Sequence, residues 1–284
     1  MTRIISALLI ICLLLTGCSG LIHSSTTTRE QTIVAKTLFA MNQVKSFNLD
    51  TDITNTYKII EGAQTDITEW KGTKIVDISK KEMAMKMTIP QIYSGANLSA
   101  SLEMYFKDGK EYLQGPYGKN PWTKTRFDNA LWKRESQIPY LTEILKTATQ
   151  FNLMDNETIN GIDCYVLTIT PSSHAAVDFV VSQEQPYGAQ IDTMWGGGIP
   201  VLRPDAYQSG SIKLWIDPNS YLPVKVEVNI DFQGNVGGGI ITSTPYTPTT
   251  NPVDSSFQGQ MNFSNYNQPV SIQVPQEALD AKED

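Results

Sequence analysis

Histidines, cysteines and clustered carboxylates are the residues that could do chemistry here, and this chain uses them sparingly. Only His23 and His174 occur, with cysteines at Cys12, Cys18 and Cys164. No His-Glu-x-x-His pair, Cys-x-x-Cys pair or Asp-rich calcium loop is present, so neither a metal site nor a cofactor is expected. The chain also lacks a Gly-x-Ser-x-Gly elbow and a phosphate-binding loop. His174 follows Ser173 at the start of an expected helix, where a lone imidazole more often caps or faces solvent than acts as a general base. The carboxylates are scattered over expected turns. No catalytic residue is assigned, and the chain reads as a non-enzyme.

Cys18 has a different setting. Arg3 supplies a positive charge, and residues 4–15 are then almost unbroken hydrocarbon. That run is too short for a spanning helix, which needs about 20 apolar residues, but has the length of a signal-peptide core. It ends in Leu15-Thr16-Gly17-Cys18, which closely resembles the lipobox of bacterial lipoproteins. The resemblance implies that residues 1–17 are a signal peptide, that cleavage makes Cys18 the N-terminus, and that its thiol carries a lipid such as palmitate-bearing diacylglycerol. Two acyl chains suffice for stable anchoring, at ~0.8 kcal/mol per buried methylene. The expected location is the cell envelope, on the extracytoplasmic face of a membrane.

Composition bounds the rest. Hydrophobic residues make up 40% and charged residues 18%, enough for a real core. The formal charge of −7 falls to −8 once Arg3 leaves with the signal, and no basic stripe exists, so no nucleic-acid partner is expected. With Cys12 removed and Cys18 acylated, Cys164 has no disulfide partner. It alternates with Ile162 and Val166, which points it into the core. Residues 18–28 read as a Ser/Thr-rich tether, about 35 Å at full stretch for ten residues at about 3.5 Å each.

The elements that must position any site follow from periodicity. Ile33, Val34, Thr37, Leu38, Met41 and Val44 form one helical stripe that opens at Arg29. Period two then takes over. Strands are expected at residues 47–53, 67–78, 83–89, 98–106 and 110–114, and later at 162–169, 212–216, 224–232 and 258–266. Asp108-Gly109 and Asn160-Gly161 are hairpin signals. Helices are expected at 139–151 and 173–185. Residues 186–205, around Trp195, and the Gly-rich stretch 237–252 read as loops, and 270–274 as an extended end.

Met83, Met85 and Met87 would share one face of a strand, opposite Leu102, Met104 and Phe106. Methionine adapts its shape and suits surfaces that accept varied apolar groups. With Val224, Val226, Val228 and Ile230, these residues are the candidate lining of a cavity. The same side chains can equally pack beneath a helix.

Three segments carry a further resemblance: YFKDGKEYLQGPYGKNPWTK at 105–124, INGIDCYVLTI at 159–169 and GSIKLWIDPNSYLPVKVEV at 210–228. With the leading helix, they resemble the LolA-like superfamily, nearest its LppX/LprG lipoprotein group. The resemblance implies an α+β fold: a curved, mostly antiparallel half-barrel sheet whose concave face is covered by two or three helices. It also implies an apolar cavity that carries acyl chains. The expected organisation is one domain over 29–275, followed by a polar C-terminal tail at 276–284. The expected function is a membrane-anchored protein that binds an apolar ligand, with an acyl-bearing lipid as partner. The alternative is a non-enzymatic envelope or sensory protein that grips another protein, of unknown identity.

Overall fold

The structure is a computed structural model that describes residues 28–59, 65–93, 96–114, 122–183, 204–237 and 250–283. Its frame is one antiparallel sheet of eleven strands in the order β6-β5-β4-β3-β2-β1-β11-β10-β9-β8-β7. The strands are β1 (Ser46–Ile59), β2 (Thr65–Asp77), β3 (Glu82–Tyr93), β4 (Ala96–Lys107), β5 (Lys110–Gln114), β6 (Thr123–Arg126), β7 (Gln150–Ile159), β8 (Ile162–Thr170), β9 (Tyr207–Ile216), β10 (Pro223–Gly237) and β11 (Thr250–Ser264). Two up-and-down meanders, β1–β6 and β7–β11, meet where β1 pairs with β11 from Asn48↔Ser264 to Ile59↔Val253. The sheet is open, with β6 and β7 as its edges.

Four helical segments feed one side of this sheet: α1 (Arg29–Met41), α2 (Asn129–Glu135), α3 (Ile138–Thr147) and α4, residues 173–183. Two or three were expected. The extra one is α2, seven residues long, capped where the Asp128 carboxylate accepts from the Leu131 amide. Its sequence is too short to show a helical stripe. The third helix stops at Thr147 rather than at 151, because Phe151 belongs to β7 and pairs with Ile169. The α1 stripe lies where its periodicity put it: Ile33, Val34, Thr37 and Met41 are buried, and Thr28 with Gln31 closes a capping box.

The core lies between these helices and the sheet. Side chains alternate, so β1 sends in Phe47, Leu49 and Ile53, β2 sends Trp70 and Val76, and β11 sends Phe257, Met261 and Phe263. Both hairpin turns adopt the expected left-handed backbone, with φ of 53° and 75° at Asp108 and Gly109, and 52° and 82° at Asn160 and Gly161. Gly72 has a packing reason instead: a Cβ there would stand 2.5 Å from Met87 Cγ and 3.0 Å from the Lys86 carbonyl oxygen.

Several boundaries differ from expectation. The loop expected at 237–252 is shorter at its ends, since β10 reaches Gly237 and β11 begins at Thr250. The middle of that stretch and the loop around Trp195 lie outside the described residues, as do Cys18 and the tether through residue 27. Residues 276–283, polar in sequence, fold back onto the sheet. Gln276–Leu279 forms a short helix, α5, with Ala278 fully buried, and Lys124 bridges to Glu283.

Candidate functional site

All nine candidate lining residues lie on the helix-covered face. Met83, Met85, Met87, Leu102, Met104, Phe106, Val226, Val228 and Ile230 are each 5% exposed or less. The pairing sets Met83 against Phe106, Met85 against Met104 and Met87 against Leu102, so six of them form one patch on β3 and β4. The other three sit on β10, separated from that patch by β2, β1 and β11. Helical side chains pack into the same core. Phe106 lies 4.7 Å from Phe127 and 6.2 Å, edge-on, from Trp132 of α2, while Phe179 of α4 meets Phe257 at 6.1 Å and 90°. Among the described residues, this face is filled by protein.

Val224 does not fall where alternation put it, and Cys164, with Ile162 and Val166 as expected, falls on the far face of the sheet. Val224 packs beside Cys164, Val166 and Trp215, away from Val226. The register of β10 against β9 shifts between Pro223 and Lys225, and one extra residue reverses side-chain parity across a bulge. Cys164 is fully buried, as expected of a small hydrophobe, but against the opposite face of the sheet from the main core. Burial pushes its thiol up, away from reactivity. His174 is exposed on the first turn of α4, whose cap is Ser172 rather than Ser173: its hydroxyl accepts from the Ala175 amide at 3.4 Å.

A polar cluster that the sequence reading did not single out interrupts the apolar face. Lys74 of β2 is 5% exposed, in a row where its cross-strand partners are Leu49 and Met85. Its Nζ reaches the Glu135 carboxylate at 3.4 Å and the Glu135 carbonyl at 3.4 Å. Glu135, the last residue of α2, is fully buried and also accepts from Arg134 Nε at 3.0 Å. Glu111 of β5 stands nearby. Burial first, and then the Glu135 charge, holds its carboxyl above the usual range. Gln137, in a left-handed conformation at φ 62°, accepts a 2.5 Å hydrogen bond from Gln183 of α4, which ties α4 to the α2–α3 corner. A lysine among the apolar side chains of 70–76 was the available signal.

A surface groove of about 520 Å3 runs between α1 and the β9–β10 turn, where Lys36 Nζ donates to the Tyr221 hydroxyl at 3.0 Å beside the exposed Phe39. A second, of about 480 Å3, lies over β1–β4 and is lined largely by polar groups such as Asp50, Lys71, Lys86 and Glu103. Among the described residues, no group of three or more His, Cys, Asp or Glu could hold a metal ion, and no helix is long and apolar enough to cross a membrane.

Among solved structures, lipoprotein LppX from Mycobacterium tuberculosis is 14% identical, covering 85% of this chain and 97% of its own, with a TM-score of 0.46. LprF from Mycobacterium bovis is 13% identical, covering 87% and 96%, also at 0.46. A LolA superfamily protein from Nitrosomonas europaea is 14% identical, covering 87% and 94%, at 0.23. Scores at this level leave the fold to rest on the strand order and register described above. No curated protein matches the sequence. A family model does match residues 29–283, and the chain belongs to that family, DUF6612, a family of unknown function.

Proposed function

We propose that this DUF6612 member is an exported lipoprotein, anchored through a lipid on Cys18 to the outer face of a membrane. Its single domain, expected over 29–275 and joined by the packed segment 276–283, uses the helix-covered side of a half-barrel sheet to bind an apolar ligand, an acyl-bearing lipid. The observation that carries this reading is the buried patch of Met83, Met85, Met87, Leu102, Met104 and Phe106, continuous across β3 and β4, with Trp132 of α2 edge-on to Phe106. Thioethers repack around chains of different shape at small cost. A roof of separate helices can lift from the sheet where a second sheet could not. Binding is then burial of hydrocarbon, worth about 25 cal/mol per Å2 removed from water, and needs no catalytic group.

Mass spectrometry of lipid extracted from the purified protein, with a fluorescent fatty acid titration, tests this reading. Co-purifying acyl lipid and saturable uptake are expected. Lipid-free protein that takes up no probe overturns it. For the anchor, Cys18→Ser is expected to move the protein from the membrane to the soluble fraction of cells.

A second reading has its own support. The same face is filled by helical side chains among the described residues, which suits an envelope protein that grips another protein without an internal ligand. Crosslinking in intact cells that captures one dominant protein, combined with lipid-free material, favours that reading over the first.

A further inference from the structure

The least expected group on the apolar face is the Lys74 ammonium. It sits in a row that runs Leu49, Lys74, Met85, Met104 and Leu113 across five strands, so its immediate neighbours in the sheet are flexible hydrocarbon. Burying an ammonium is costly unless it is well paired. Its pairing is poor: both contacts to Glu135 are 3.4 Å, whereas a charge-assisted N–H···O bond is about 2.7–2.9 Å. Glu135 is meanwhile shared with Arg134, so the carboxylate that Lys74 contacts is divided between two cations, with the buried Glu111 carboxyl nearby as the other acidic group of the cluster. Arg134 is 25% exposed, which carries the cluster from the core out to solvent.

This is the layout that an anionic amphiphile would match. We propose that Lys74 and Arg134 form the headgroup site for an acyl-bearing anion, whose carboxylate or phosphate takes the place of the Glu135 side chain. The acyl chain lies along the methionine row. Glu135 is the last residue of α2, so its release gives up the ionic contact between that helix and β2, while Trp132 keeps the helix on Phe106. The proposal rests on the lipid-binding reading and deepens it by naming the ligand as anionic.

The test uses the purified full chain, with decanoate, decanol and inorganic phosphate as probes in a calorimetric titration. Decanoate is expected to bind about tenfold more tightly than decanol, the factor that one charged hydrogen bond supplies. Lys74→Met should erase that preference and keep decanol binding. Glu135→Gln, which removes the competing carboxylate, should tighten decanoate several-fold and leave decanol unchanged. Should Lys74→Met fail to fold by circular dichroism, the Glu135→Gln result decides. Phosphate alone should not bind measurably; phosphate binding as tight as decanoate means a free-anion site and overturns the proposal. Equal affinity for decanoate and decanol overturns it too, and leaves the lipid-binding reading standing. Binding of neither overturns both.

Discussion

At the scale of single residues, the polar cluster under α2 places charged groups in the core: Lys74 is 5% exposed and Glu135 is fully buried. Glu111 has Thr125 as a hydrogen-bond donor at 3.4 Å, and its carboxyl is raised first by burial and then by Glu135. A carboxyl whose pKa is higher folded than unfolded destabilises the native state at high pH. That cost is fully present above the folded value and disappears as pH falls below the unfolded one. Glu111→Gln keeps the shape and removes the charge. It should therefore stabilise the protein at about pH 7, with the gain in urea midpoint shrinking towards about pH 4. A gain that is the same at both ends would mean that the charge of Glu111 is not what costs stability. The methionine patch was legible in the sequence because period-two alternation alone decides which face a strand residue takes. The Lys74–Glu135 pair was not, because the two residues are far apart along the chain and meet only when α2 lies on β2.

Elements divided along a similar line. Hairpin turns were readable because Asp-Gly and Asn-Gly tolerate the left-handed backbone that a two-residue turn needs, and both were found with positive φ. Parity across a bulge was not: nothing in Pro223-Val224-Lys225 marks the shift that sends Val224 to the far face. The ends of helices failed where a strand competed for the same residues, as at Phe151. Among the covering helices, α4 has the plainest dependence on packing. Ala176 and Phe179 are fully buried, Val180 is nearly so, and Gln183 pins its end to Gln137. Truncating Phe179 to Ala removes the ring that meets Phe257 edge-on, at an expected cost of about 3–5 kcal/mol. Met154→Ala, on a side chain 52% exposed on edge strand β7, should change the urea midpoint little. If the Phe179 variant is as mild as the Met154 one, α4 is not held to the sheet by that contact.

At the scale of the whole molecule, the two meanders of the open sheet are joined by contacts that are remote in sequence. The β1–β11 seam joins residues about two hundred positions apart, and long-range pairings of this kind are slow to form. The C-terminal segment does related work on the opposite face. Ile272, 1% exposed, and Ala278 pack with Tyr105 and Tyr112, with Trp122 and Val274 at their side. Three lysines of the first meander hold the segment down: Lys107 donates to the Ile272 carbonyl at 2.7 Å, Lys124 to the Leu279 carbonyl at 2.9 Å, and Lys110 pairs with Glu283 at 2.6 Å. The Lys110 hydrogen bond keeps the Glu283 carboxyl below its usual range, so this contact contributes above the ordinary carboxylate pKa and fades as pH falls through the lowered value. The segment is thus a strap over β3 to β6, of which β3 and β4 carry the methionine patch on their other side. Ending the chain after Pro269 should expose the aromatic cluster and cost roughly 2–4 kcal/mol, mainly from uncovering Ile272 and its neighbours. Acrylamide quenching of tryptophan fluorescence should rise as Trp122 loses its cover. Truncation that leaves both the urea midpoint and the quenching unchanged would show that the strap follows the sheet without supporting it. Loss of stability together with weaker decanoate binding would instead tie this back-face strap to the methionine patch across a single layer of strands.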